Sequence, residues 1–283
     1  MRFKFEKWNG LGNDFVFVNG AEETIEDYSA AAIEVCDRHF GVGADGLVLL
    51  LPCEQDGVDF EMRIFNSDGS EAEMCGNATR CIAKYIAANG LSDKKELHIL
   101  TKAGIIIPTL VEMADGSVEV RVNMGRPRLV PSEIPVTSDT EDTIISQPIT
   151  AGGMTFAMTT VSMGNPHCVI FVDDIADIAL SEVGPILETH ERFPRKINVE
   201  FAQVLSRNQI RMRVWERGAG ITLACGTGSC ATIVAAVLND KTERQADIIL
   251  DGGVLHLDWS EADGNVYMTG PATKVFDGIY EKI

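Results

Sequence analysis

Apolar and polar residues alternate in several short stretches of this chain. Val118-Glu119-Val120-Arg121-Val122 and Val254-Leu255-His256-Leu257-Asp258-Trp259 show the two-residue period of strands with one face buried. Ala114-Asp115-Gly116 and Ala262-Asp263-Gly264 lie between such runs and predict hairpin turns. A different pattern follows Cys75 and Cys225. Gly76 to Ala88 predicts a helix stopped by Asn89-Gly90, and Gly226 to Leu238 predicts another stopped by Asn239-Asp240. The second is apolar nearly all round, from Ala231 through Ile233, Val234, Ala235, Ala236 and Val237, as befits a helix enclosed by other structure. A third helix is predicted over Ser29 to Arg38.

The chain also resembles itself. Met62-Arg63-Ile64-Phe65-Asn66 matches Met212-Arg213-Val214-Trp215-Glu216, 150 residues later, and the same offset carries Cys75-Gly76 onto Cys225-Gly226. Gly12-Asn13 matches Gly164-Asn165 at an offset of 152, and the two Ala-Asp-Gly turns match at 148. Collinear matches at a nearly constant offset predict two homologous halves. They meet where Gly125, Pro127 and Pro131 interrupt regular structure, which gives halves of 1–122 and 123–270. Residues 271–283 fall outside the second repeat and are expected to pack back on the first half. The expected fold is α/β (α+β): two pseudo-symmetric domains, each a curved, mostly antiparallel sheet around a central helix, with the active site in the cleft between them.

Composition narrows the function. Of 283 residues 45% are hydrophobic, enough for a packed core. Against 24 basic residues stand 42 acidic ones, a net charge of −18 that argues against nucleic acid and against an anionic membrane surface. No uncharged apolar window approaches the ~18 residues of a membrane span. Residues 1–20 carry Arg2, Lys4, Glu6 and Lys7 where a signal peptide would be continuously apolar. The expectation is a cytoplasmic protein acting on a small molecule. Seven cysteines cannot all pair within one chain, and no CxxC occurs, so neither a disulfide framework, a zinc ribbon nor a thioredoxin motif is expected, and no metal site.

Two of the cysteines recur. Cys75 and Cys225 each stand at a predicted helix start, each is followed by glycine, and each lies nine positions after the polar residue that closes a strand. A helix N-terminus favours a thiolate and offers N–H groups to an anion such as a substrate carboxylate. Two such sites facing one carbon would let one thiolate remove a proton while the other thiol delivers one to the opposite face, which is racemisation or epimerisation. The other five cysteines have no repeat-related partner and are read as structural.

The segments Asn9 to Phe15, Asn66-Ser67-Asp68-Gly69-Ser70, Cys75-Gly76-Asn77-Ala78-Thr79-Arg80-Cys81, Gly164-Asn165-Pro166-His167, Glu216-Arg217-Gly218-Ala219-Gly220 and Ala224-Cys225-Gly226-Thr227-Gly228 resemble those of the diaminopimelate epimerase family, in order along essentially the whole chain. The resemblance implies a cofactor-free enzyme that interconverts LL- and meso-diaminopimelate, a step toward lysine and peptidoglycan precursors, and a homodimer. It implies Cys75 and Cys225 as the base and acid. The N–H groups of Gly76, Asn77, Gly226 and Thr227 would hold the carboxylate at the reacting carbon. Arg217 would pair with the distal carboxylate. Asn13, Asn66, Asn165 and Asn198 would supply neutral contacts, Glu216 would accept from the α-ammonium, and Glu216 and His167 would tune the cysteines. This chain departs from relatives in having Gly46 where some carry Gln, and Ala78 where many carry Gly; Ala78 still supplies an N–H, so little effect is expected.

Other racemases of the same architecture, acting on histidine, proline or hydroxyproline, are the nearest alternative, with a non-epimerising isomerase of the same fold beside them; the arginine turn favours a substrate with a distal carboxylate. A thiol-redox switch built on Cys75 and Cys225 is the alternative of a different class.

Overall fold

The computed structural model describes residues 1–282. They form two compact units, Met1–Asn123 together with 270–282, and Met124–Thr269. Each unit is mixed α+β, and the two repeat one plan. In the first, α1 (Tyr28–Cys36) fills the crossover between the parallel strands Asn13–Asn19 and Gly46–Leu51, and α2 (Gly76–Ala88) fills that between Phe60–Asn66 and Ile99–Thr101. In the second, α3 (Leu180–Glu188) and α4 (Gly226–Leu238) fill the equivalent crossovers, Pro166–Phe171 to Asn198–Ser206 and Gln209–Glu216 to Gln245–Leu250. Parallel neighbours need such a connection, whereas antiparallel ones close with a short turn. Within each unit the other pairings among the described residues are antiparallel. Among them are the hairpins Thr109–Glu112 with Val118–Asn123 and Gly253–Trp259 with Val266–Gly270, at the two Ala-Asp-Gly turns.

Register makes the repeat quantitative. Phe15 pairs with Gly46 as His167 pairs with Asn198, so residues of these strands correspond at an offset of 152. Val48 and Glu200 are therefore equivalent. The chain's last strand, Thr273–Glu281, runs antiparallel to Arg2–Gly10 and belongs to the first unit.

The two cysteine-led helices begin and end as the sequence predicts, and each is buried along most of its length. Ile82, Ala83 and Ile86 of α2 and Ile233, Val234 and Ala235 of α4 are fully enclosed. α1 stops two residues short of the predicted Arg38. Asp37 leaves the helical conformation there, and its carboxylate accepts from the N–H groups of His39 and Phe40, turning the chain away. α3 has no clear sequence signal, because Gly184 and Pro185 interrupt its pattern. Gly184 is required by packing: a Cβ there would stand 2.7 Å from the Trp215 ring. Among the described residues no helix is long and apolar enough to cross a membrane.

Candidate active site

In the first unit Cys75 is the N-cap residue of α2, with extended backbone at φ −143° and ψ 118°. The first intrahelical bond runs from Thr79 N–H to the Cys75 carbonyl, 2.9 Å, so the N–H groups of Gly76 and Asn77 lie ahead of the helical ladder, where an anion is stabilised. The half-buried Cys75 thiol lies 3.9 Å from Asn13 Oδ1, which also accepts from Asn77 Nδ2 at 3.0 Å. Asn77 Oδ1 is buried and has no hydrogen-bond partner among the described residues. Asn13 Nδ2 is held by Asp45 at 2.7 Å, and Asp45 by Arg38. Asn66 closes the strand before α2, its side chain donating to Ser70 Oγ at 3.0 Å. Asn13, Asn77 and Cys75 are thus brought together. At Gly46 a Cβ would lie 2.8 Å from the Phe65 carbonyl oxygen, so this backbone has no room for the glutamine of some relatives.

In the second unit Cys225 is the N-cap of α4, at φ −126° and ψ 110°. Its sulfur accepts from Gly228 N–H at 3.4 Å and lies 3.6 Å from Thr227 Oγ1. The thiol is only 5% exposed. Burial pushes its pKa well above the ordinary thiol range, and the negative charges of Glu216 and Glu200 push in the same direction. The bonds from Thr227 and Gly228 oppose this and are outweighed. The expectation that a helix start makes the cysteine more acidic therefore does not hold for Cys225, because desolvation and two carboxylates exceed the effect of one helix turn.

His167, Asn165 and Thr227 join Cys225 in a chain of contacts. His167 Nε2 meets Asn165 Oδ1 at 3.0 Å, and Asn165 Nδ2 donates to Thr227 Oγ1 at 3.2 Å. Glu216 ends the strand leading to α4 and accepts from Thr222 Oγ1 at 2.5 Å. Arg217 is exposed, with Nη1 donating to the Arg195 carbonyl at 3.2 Å. Asn198 is buried. Its amide donates to the Pro166 carbonyl at 2.8 Å and accepts from Arg217 N–H at 2.9 Å, so it fixes the arginine turn to the neighbouring strand.

Two residues of this neighbourhood escape a reading of the sequence. Glu200 is fully buried and bonds His167 Nδ1 at 2.7 Å. Burial raises its pKa above the usual carboxylate range, against the opposing influence of His167. The signal was a lone acid in the apolar strand around Val199 and Phe201, where the equivalent residue of the first half is Val48. Glu188, at the end of α3, accepts from Trp215 Nε1 at 2.7 Å and Gly218 N–H at 3.2 Å, bracing the turn that carries Arg217. Among the described residues no group of three or more His, Cys, Asp or Glu side chains is arranged to hold a metal ion.

Comparison with known proteins agrees in sequence and in fold. The family model described as diaminopimelate epimerase matches residues 5–130 and 159–275. A protein of Nostoc sp. named diaminopimelate epimerase 1 is 52% identical, over 98% of this chain and 99% of its own. Diaminopimelate epimerase of Acetivibrio thermocellus is 51% identical over 97% of both chains. Among solved structures, a PhzF-family phenazine biosynthesis protein of Bacillus anthracis superposes with a TM-score of 0.70 at 14% identity, covering all of both chains. A hydroxyproline epimerase of Agrobacterium vitis reaches 0.65 at 14% identity, over 98% of this chain and 92% of its own. These two likenesses show a shared two-domain fold.

Proposed function

The chain belongs to the diaminopimelate epimerase family, and from that premise we propose that it interconverts LL- and meso-diaminopimelate without a cofactor, using Cys75 and Cys225 as a two-base pair. One thiolate takes the α-proton and the other thiol gives up its proton to the opposite face of the carbon, so the enzyme returns with the two protonation states exchanged. The observation that carries this reading is the recurrence of one device: a cysteine in the N-cap conformation at the start of equivalent buried helices, followed in each case by N–H groups ahead of the helical ladder.

Charge moves from the α-carbon onto its carboxylate as the proton leaves. Fixed N–H donors at Gly76, Asn77, Gly226 and Thr227 therefore bind the transition state more tightly than the ground state. Glu216 accepts from the α-ammonium. Arg217, exposed and braced by Asn198 and Glu188, binds the distal carboxylate, and Asn13, Asn66 and Asn165 supply neutral contacts. The raised pKa of Cys225 suits it to be the resting thiol, the acid of the pair in the direction that starts from a Cys75 thiolate. The same reading takes the protein as a cytoplasmic homodimer serving lysine and peptidoglycan precursor synthesis. Val275 and Ile279 are exposed on the outer strand of the first unit, where a second copy would cover them.

The test is deuterium incorporation at the α-carbon of LL-diaminopimelate in D₂O, followed by proton NMR. Exchange with conversion to the meso isomer is expected. Exchange into proline, hydroxyproline or histidine but not into diaminopimelate would refute the substrate assignment.

A further inference from the structure

We propose that Glu200 is a positioning residue for the Cys225 half of the site. It anchors His167 through Nδ1, and through His167 it holds Asn165 and the Thr227 hydroxyl in place beside the Cys225 sulfur. The proposal rests on the reading of Cys225 as one of the two proton-transferring thiols.

The geometry forms an unbroken series. Glu200 Oε1 meets His167 Nδ1 at 2.7 Å, His167 Nε2 meets Asn165 Oδ1 at 3.0 Å, Asn165 Nδ2 meets Thr227 Oγ1 at 3.2 Å, and Thr227 Oγ1 meets Cys225 Sγ at 3.6 Å. A carboxylate oxygen and an amide oxygen both accept, so His167 donates from Nδ1 to Glu200 and from Nε2 to Asn165, which fixes the ring between them. Glu200 and His167 are both fully buried. The other carboxylate oxygen, Oε2, has no hydrogen-bond partner among the described residues. Burying such a pair costs desolvation that well-packed apolar side chains would avoid, so stability alone gives little reason for it.

The backbone is shaped to admit this carboxylate. A Cβ on Gly228 would stand 2.7 Å from Glu200 Oε1 and 3.2 Å from Cys225 Sγ, so the first turn of α4 lacks a side chain just where carboxylate and thiol converge. The equivalents in the first half are Phe15 for His167, Val48 for Glu200 and Ala78 for Gly228, all buried and apolar. That half folds on the same plan without the pair. The other ionisable groups around Glu200 are Glu216 at the end of its strand, Cys225 at the start of α4, and Cys168 beside His167.

The experiment compares Glu200→Gln and Glu200→Leu with the parent, as full-length protein. Both are expected to melt within a few degrees of the parent or above it. With diaminopimelate, kcat is expected to fall about 10- to 100-fold while KM changes less. Glu200→Gln, which keeps an acceptor at the same reach, should retain more turnover than Glu200→Leu. In nitrogen-15 histidine-labelled protein without substrate, the His167 Nδ1–H resonance should be present in the parent and absent in Glu200→Leu. A kcat within about threefold of the parent in Glu200→Leu, or turnover lost only in step with melting temperature, would overturn the proposal. The resonance needs no substrate. If the parent fails to turn over diaminopimelate, the substrate assignment falls while the resonance still decides: its persistence in Glu200→Leu would sink the role given to Glu200.

Discussion

The two helix starts share a frame and differ in what lies beneath and beside it. Cys75 and Cys225 have nearly the same backbone conformation, cap helices of 13 residues, and follow strands in equivalent register. The first half has Phe15, Val48, Asn66 and Ser67 where the second has His167, Glu200, Glu216 and Arg217. Cys75 is half-buried and Cys225 almost wholly so. The repeat supplies geometry twice, and the departures from it supply charge once. A symmetric pair of thiols would hold their protons equally. Burial, with the carboxylates of Glu216 and Glu200, holds the Cys225 thiol above the ordinary thiol range.

The largest effect should come from removing either thiol. Cys75→Ala and Cys225→Ala are each expected to lower epimerisation by at least about a thousandfold, since each deletes one proton-transfer partner. Cys36→Ala, Cys81→Ala and Cys230→Ala should stay close to the parent. Decay of the circular-dichroism signal of LL-diaminopimelate, as it passes to the optically inactive meso isomer, would measure this, and near-normal turnover in either of the first two variants would remove the two-base assignment.

Next comes the positive charge that only the second half carries on its turn. Arg217 stands where the first half has Ser67. Arg217→Lys keeps the charge and loses the fork that grips a carboxylate with two bonds, so KM should rise about tenfold or more with a smaller change in kcat. An unchanged KM would mean that the distal carboxylate is bound elsewhere.

The acid at the end of the strand is the third difference, Glu216 against Asn66. Burial raises the pKa of Cys225 first, and the Glu216 charge adds to it. Glu216→Gln removes a negative charge beside the thiol, favours the thiolate, and should move the pH midpoint of Cys225 alkylation downward, as read by iodoacetamide labelling and mass spectrometry. A midpoint that stays or rises would show that Glu216 does not act on this sulfur.

Much of this asymmetry is legible in the sequence and some is not. The bounds of α2 and α4 could be read because capping and stopping residues are local signals: Cys-Gly before each helix, Asn after it. The arginine turn and the paired cysteines stand out because the repeat supplies its own control. Glu200 stayed hidden because its strand is buried on both faces, so no alternation marks which side chains point toward Cys225. α3 is not legible because Gly184, which packs against Trp215, and Pro185 both lower helix propensity. The raised pKa of Cys225 is not legible in sequence, because a helix start is visible there whereas the depth of a sulfur and the charges folded around it are not.

The smallest expected effects come from exchanging the two small residues three positions beyond the cysteines. Ala78 is fully buried in α2, and the equivalent place in α4 is Gly228. Gly228→Ala puts a Cβ 2.7 Å from Glu200 Oε1, and the carboxylate is tied to His167 and is not free to swing away. Overpacking of this kind should cost about 1–3 kcal/mol and lower turnover with it. Ala78→Gly removes a methyl from a helix interior and frees the backbone of the unfolded chain, which should cost about 1 kcal/mol and leave kcat near the parent value. Denaturation midpoints together with turnover would compare the two. If Gly228→Ala proved as mild as Ala78→Gly in both measurements, the carboxylate under α4 would be loosely held, and the difference between the two halves would lie in Glu216 and Arg217 alone.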